Sequence, residues 1–433
     1  MVLIFSENIT NRLLYTLNVL FKNVLGVDYE ITGEEDFYAS SNLPKINYST
    51  ERKNQGLFIK PIGLLQEKGI SRWEITCKLQ NGIYSFFQTT GADLPFDLFS
   101  ASFYLISRYE EYLPHDKDQH GRFSAIQSLP FKEGFIEEPV VDQWAILLKN
   151  CLKKKYPSIK FPPRKYKCLP TIDVDVPYAF KNKPIIRMMG SLAKSFVTGK
   201  LHQVNYNIKV ALGKQPDPYD TYDKIISWHN QYNLPSMFFF PVGKYGKYDK
   251  NLPPTSRSFQ KLTRYIAQQA QVGIHPSYDS FDKEHFLIKE IEQLSEVLGM
   301  PVVKSRQHYI RLDIPVTYRN LMKQGIKEDY SMGFPDLPGF RAGISSPFPF
   351  YDLEVEKEQD LIVTPFCLMD GGLKNYLNLE PDEGLDKAKQ LVKKVKDVDG
   401  QFCSLWHNSS FSSFFGWDGW EKVYIQMLKE AAE

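Results

Sequence analysis

The sequence predicts an α/β protein: a smaller α+β unit followed by a longer run of βα units forming a parallel sheet or barrel. Three observations carry this. After residue 163, short apolar runs alternate with helical stretches. Before it, one amphipathic helix precedes several short strand-like runs and two further helical patterns. Between the two, Tyr156-Pro157 and Phe161-Pro-Pro163 form a stretch that cannot continue a helix. The chain has 433 residues, enough for two or three domains and a sizeable core.

In the first unit, 1–163, Leu13, Leu14, Leu17, Leu20 and Phe21 have helical spacing and predict a helix near 8–24. Strand-like runs follow at 56–60, 73–79 and 83–88, then helical patterns at 96–112 and 141–153. In the second unit, 164–433, strands are predicted at 167–172, 236–241, 272–274, 302–303, 360–364 and 402–405. The helix after 280 is the clearest: Leu287, Ile291, Leu294 and Leu298 share one face, and Gly299 with Pro301 ends it. An insertion at roughly 177–218 separates the first two strands of this unit.

Charge excludes some functions. Lys+Arg is 53 against Asp+Glu 51, with no basic excess to hold nucleic acid. Five scattered cysteines without a CxxC fit a reducing compartment. No run approaches the ~18 apolar residues that span a membrane, and the N-terminus lacks the pattern of a signal peptide, so a cytoplasmic location is expected.

Thr171-Ile-Asp-Val-Asp-Val176 is the most informative stretch. In a strand, residues i and i+2 share a face, so Asp173 and Asp175 aim at one spot where a buried strand opens into a loop. Two like charges that close need a cation or a shared proton. Other polar residues also follow predicted strands: His275, Arg306, His308 and His407. Such strand ends are where parallel βα folds gather functional groups.

The order of these motifs resembles the polysaccharide deacetylases, the NodB-homology carbohydrate esterases, over about 165–433. The resemblance implies a distorted (β/α) barrel that removes N- or O-acetyl groups from sugars with a divalent metal. Asp173-Val-Asp175 is similar to the first motif, implying Asp173 as base and Asp175 as metal ligand. His275-Pro-Ser-Tyr-Asp279 resembles the second motif at His275, a ligand. Position i+4, usually histidine, is Asp279, here taken as a third ligand. Arg306-Gln-His-Tyr309 resembles the third, Ile326-Lys-Glu-Asp329 the fourth and Leu405-Trp-His407 the fifth. Arg306 would pair with a site carboxylate, His407 would protonate the leaving group, and Asp329 would orient His407. The donor types suit zinc first, then cobalt, nickel or manganese. Members of the family commonly act on the cell envelope, so association with it is also implied. Ser107-Arg-Tyr-Glu-Glu-Tyr112, Pro139-Val-Val-Asp-Gln-Trp144 and Phe340-Arg-Ala-Gly343 are similar to a subgroup with an extra N-terminal domain of unassigned function.

Plainer roles stand beside these. A strand-end Asp-x-Asp also serves turns and caps, and Asp279 precedes a helix it could cap. His308 suits packing as well as ligation or substrate contact, and Arg341 suits a structural ion pair. Trp406, Trp417 and Trp420 fit a core as well as a sugar platform. His115, His120, His202, His229 and His285 are expected to be solvated or locally bonded. Two functional alternatives share the pattern: a barrel that binds a glycan or partner without turnover, and a metal amidase acting on a non-sugar amide.

Overall fold

The structure, a computed structural model, describes residues 1–182 and 201–433. The middle of the expected insertion and the side chain of His202 lie outside them. The chain opens not in a helix but in a strand, β1 (Val2–Phe5), every residue of which is buried. A wholly buried apolar run of four has no alternation to mark it as a strand. Thr10 then caps α1 (Asn11–Leu17), its hydroxyl accepting from Leu13 N, and a wider π-turn carries the helix to Val24. β2 (Tyr29–Thr32), α2 (Glu35–Ser40), β3 (Lys45–Tyr48) and β4 (Leu57–Ile59) follow. These strands form a sheet in the order β2-β1-β3-β4, parallel throughout, so this unit is built from crossovers rather than the hairpins an α+β reading implies. The run at 73–79 is mostly irregular; a small hairpin of β5 (Lys78–Gln80) and β6 (Ile83–Ser85) stands beside it. Helices Leu98–Ile106 and Val140–Lys155 lie where expected.

The second unit holds β7 (Lys167–Asp173), β8 (Met237–Pro241), β9 (Gln271–His275), β10 (Lys304–Ser305), β11 (Glu328–Asp329), β12 (Phe348–Asp352), β13 (Lys357–Val363), β14 (Leu368–Met369) and β15 (Gln401–His407). They form one nine-stranded sheet, β12-β13-β11-β10-β9-β8-β7-β15-β14, parallel except for the β12/β13 hairpin. β8 reads Met-Phe-Phe-Phe-Pro and is buried throughout, the run expected of a strand covered on both faces. Helix Glu284–Leu298 ends at Gly299 in the left-handed region (φ +71°), as its sequence predicts.

The sheet is strongly curled. β7 and β10 are three strand spacings apart, about 14 Å if flat. Yet Arg306, just beyond β10, reaches Thr171 Oγ1 at 2.5 Å and Asp173 Oδ1 at 3.0 Å on β7. The guanidinium lies inside the curl, 4.7 Å from the Phe239 ring centre and 5.5 Å from that of Phe366. Gly273 makes room, since a Cβ there would lie 2.6 Å from the Phe239 ring. Segment 364–367 crosses from one side of the sheet to the other: Thr364 N donates to Asp329 O at 2.8 Å and Cys367 N to Cys403 O at 3.1 Å. The chain itself thereby bridges β11 and β15, although no strand pairing joins the two ends of the sheet among the described residues.

The subgroup motifs form the joint between the units. Glu111 is buried and receives Arg341 through Nε (2.8 Å) and Nη2 (2.6 Å), and Arg108 through Nε at 2.7 Å. Burial alone would raise the Glu111 carboxyl, but Arg341 and Arg108 outweigh it and hold it down at about 2. Arg108 also donates to the Arg341 carbonyl. Asp142 accepts from Ser345 N (2.7 Å) and Arg164 Nη2 (2.7 Å). Arg341 is therefore in a structural ion pair. One hydrophobic core runs through both units, from Val2 to Ala431.

Candidate metal centre

Asp173 ends β7, and Asp175 follows in the loop two residues on. His275 ends β9, and His308 follows β10. Asp175 Oδ1 lies 3.2 Å from His275 Nε2 and 3.6 Å from His308 Nε2. Among the described residues these three each offer one ligand atom, all within 4.8 Å of one another.

The orientation of the rings tests whether a cation fits. His275 Nδ1 lies 2.7 Å from the Arg306 carbonyl, which can only accept, so the proton is on Nδ1 and Nε2 presents a lone pair to the site. His308 Nδ1 lies 2.9 Å from the Asp249 carboxylate, itself fixed by Tyr278 N, which turns its Nε2 toward the site. Asp175 Oδ1 is shielded from solvent and receives no hydrogen bond. Two imidazole Nε2 atoms and a carboxylate oxygen converge as a donor set for a divalent transition metal, which on binding would displace any proton on Nε2.

Two further groups flank this set. Asp173 Oδ1 is held by Arg306, while its Oδ2 faces the site, 3.9 Å from His275 Nε2. His407 ends β15, with Nε2 3.6 Å from Asp175 Oδ2. Its Nδ1 lies 2.8 Å from Asp370 Oδ1, and Asp370 also accepts from His407 N and Ser410 Oγ. Burial lowers the His407 pKa, but the Asp370 and Asp175 carboxylates outweigh it and push it up to about 10. His308 is likewise raised, to about 9, with Asp175 overcoming burial. Burial opposes ionisation of Asp175, but His308 and His407 hold it well below the usual carboxylate range.

Five of the expected site residues thus come together: Asp173, Asp175, His275, Arg306 and His407. Two do not. Asp279 sits on an exposed turn, its carboxylate 3.8 Å from Lys283 Nζ; the short turn after Ser277 directs it outward. His308, not Asp279, stands beside Asp175 and His275 in the third position. Asp329 is buried, accepting from Ser305 Oγ (2.7 Å) and Ser331 N (2.8 Å), and it braces the loops beside Arg306 instead of touching His407. Asp370 holds that ring. A signal for Asp370 existed: it ends the apolar run Phe366-Cys-Leu-Met369 just as Asp173 ends β7. For His308, the signal was its place two residues past Arg306 on the same loop.

These groups open into a cavity of about 330 Å³ whose walls include Tyr309, Tyr376 and Trp417. Trp406 and Trp420 are core residues, packed with Phe411 and Tyr424 or with each other. His229 is also a core group, bonded to Ser236 and Tyr424, and burial lowers its pKa to about 3.

The N-terminal unit contributes to this wall. A loop closed by a Lys117/Phe123 bridge brings in Arg122, whose Nη1 donates to the Tyr309 carbonyl at 2.8 Å. Arg311 Nε donates back to His120 O at 2.8 Å. Tyr309 and Ile310, directly after His308, both lie in the left-handed region (φ 59° and 54°). Such conformations in bulky residues cost of order 1–3 kcal/mol each and persist only when the surroundings hold them. The Arg122 contact is one such hold.

Residues 2–157 match the model of a family of unknown function (DUF7033). No curated protein matches the chain. Among solved structures it is similar to one described as a polysaccharide deacetylase from Mycobacterium smegmatis, at 16% identity and TM-score 0.40, over 63% of this chain and 86% of that one. It is also similar to PuuE allantoinase, at 12% identity and TM-score 0.39, over 64% and 89% of the two chains. A family 4 carbohydrate esterase from Streptomyces lividans, in complex with acetate, is similar at 10% identity and TM-score 0.30, over 62% and 88%.

Proposed function

We propose that this protein is a metal-dependent hydrolase that removes N- or O-acetyl groups from a carbohydrate. In this reading residues 164–433 form a distorted (β/α) barrel of the polysaccharide deacetylase type and 1–163 a separate N-terminal domain. The observation that carries the reading is the convergence of Asp175, His275 and His308 between a free carboxylate oxygen of Asp173 and the Nε2 of His407.

Asp175, His275 and His308 would hold the ion, zinc first, with cobalt, nickel or manganese as alternatives. Such an ion lowers the pKa of bound water to about 7 and polarises a carbonyl. Asp173 is the base: Arg306 fixes Oδ1 and leaves Oδ2 to take the proton of the attacking water. His407 is the acid. With its pKa raised to about 10 it carries a proton at neutral pH, and Asp370 on Nδ1 directs Nε2 toward the leaving amine or alkoxide. Tyr309, Tyr376 and Trp417 supply flat apolar edges suited to a sugar ring.

The test is to load metal-free protein with zinc and measure acetate release from acetylated oligosaccharides. Asp173→Asn should keep the zinc and lose activity by about 10²–10⁴-fold, the usual worth of a general base. Protein that binds no divalent ion and releases no acetate with these residues intact would overturn the proposal.

A further inference from the structure

The N-terminal sheet, β2-β1-β3-β4, reverses its direction of growth at β1/β3. The chain leaves β1 toward β2 on one side, then crosses back past β1 to reach β3 on the other. Where neighbouring parallel strands send their connections to opposite sides, neither connection covers their carboxyl ends, and a crevice is left there. A cavity of about 250 Å³ occupies that place. Ser6 and Asn8 follow β1, Tyr48 and Ser49 lie at the end of β3, and Gln66 follows β4.

The crevice is prebuilt. Asp97 beneath it receives Tyr48 OH at 3.0 Å, Ile62 N at 3.0 Å and Ser100 Oγ at 2.5 Å, which fixes the ends of β3 and β4. Its lining offers both acceptors and neutral donors. Ser6 Oγ donates to Asn8 O at 3.1 Å, and Ser49 Oγ donates to Asn47 Oδ1 at 2.5 Å, so both hydroxyls have lone pairs left but no proton. Gln66 Oε1 is shielded from solvent and has no hydrogen-bond partner. A buried acceptor left alone is unfavourable, so Gln66 Oε1 calls for a ligand that brings a donor, while the Asn8 amide and the Thr50 hydroxyl can donate to it in turn. Among the described residues no Lys, Arg or His lines it and the one charged group is Glu7, so an anion such as phosphate would meet a carboxylate and no cation.

We propose that this crevice binds a neutral polyhydroxylated ligand, a single sugar ring. Its O–H groups would donate to Gln66 Oε1 and to the Ser6 and Ser49 hydroxyls. The site shares no residue with the cavity of Asp175 and His308, and it does not depend on hydrolysis there. Its volume falls below the ~300–1,000 Å³ of ordinary ligand pockets, which favours one ring over an extended chain.

The experiment uses the full chain without metal. Hydrogen exchange and calorimetry are measured with glucose, galactose, N-acetylglucosamine and xylose, and with inorganic phosphate and AMP as anionic probes. At least one sugar should slow exchange over 6–10, 47–50 and 61–66, and phosphate and AMP should not. Thr50→Trp, at the exposed mouth, and Gln66→Leu should each weaken that binding at least tenfold while leaving the melting temperature unchanged. Protection by none of the four sugars, protection by an anion, or wild-type binding in Thr50→Trp would overturn the proposal. Acetate release is not read, so failure of the hydrolase reading and failure of this one are separate outcomes.

Discussion

His308 offers the sharpest test of the proposed metal centre, because the spacing of the second motif assigns the third ligand to Asp279 instead. Its Nε2 lies 3.6 Å from Asp175 Oδ1, and its Nδ1 is fixed 2.9 Å from Asp249. Removing a carboxylate behind a ligating histidine typically weakens metal binding 10–100-fold. Asp249→Asn should fall in that range. His308→Ala removes the ligand itself, leaving one histidine and one carboxylate, and should cost at least roughly 100-fold, about 2.7 kcal/mol at 1.36 kcal/mol per decade. If the proposed ion binds here, Asp249 would act on it through His308, so the pair should be non-additive: in the His308→Ala background, Asp249→Asn should add less than about 0.5 kcal/mol. Asp279→Ala should leave affinity unchanged, since that side chain is exposed and paired with Lys283. Zinc affinity is read by competition with a chromophoric chelator on refilled protein. The reasoning is refuted if Asp279→Ala weakens binding while His308→Ala does not, or if Asp249→Asn costs the same in both backgrounds.

Further expectations concern other groups. Asp370→Asn should retain zinc but lower kcat/KM and shift the alkaline limb of its pH profile downward, because Asp370 is the main carboxylate raising His407; an unchanged profile would remove Asp370 from the mechanism. Glu290, whose carboxyl is pushed by burial from 4.5 to about 7, favours its protonated form in the folded state. Its contribution to stability is full below pH 4.5 and is lost as pH rises through about 7. Denaturant titrations should show on the order of 3 kcal/mol of that slope vanish in Glu290→Gln. Arg341→Met leaves the buried Glu111 with one cation instead of two and should destabilise by about 3–5 kcal/mol, read as a lowered denaturation midpoint; a change below 1 kcal/mol would show that the joint is not held by this pair.

The sequence exposed those parts of the site that stand at the ends of long, apolar strands. Asp173, His275 and His407 each close a strand of five to seven residues. Such a strand announces its own end by a change from apolar to ionisable side chains. His308 and Asp370 follow two-residue strands, Lys304–Ser305 and Leu368–Met369, too short to show a period. Asp249 lies in a loop eight residues past the end of β8 and is brought in only by tertiary folding. Asp279 was placed by analogy of spacing, and a turn of one residue more or less is enough to aim a side chain outward. The same limit applies to the N-terminal sheet. β1 and β3 are buried on both faces, so they carry no alternation, and their parallel pairing is set by crossovers that no local pattern records.

The loop that carries Arg122 has a temporal consequence. Residues 113–128 are made before any of the strands that bear the metal donors, and they must wait for the His308–Ile310 turn to arrive. On the proposed reading, the ion would be held only after that turn, which carries His308, has met a loop made nearly two hundred residues earlier in the chain.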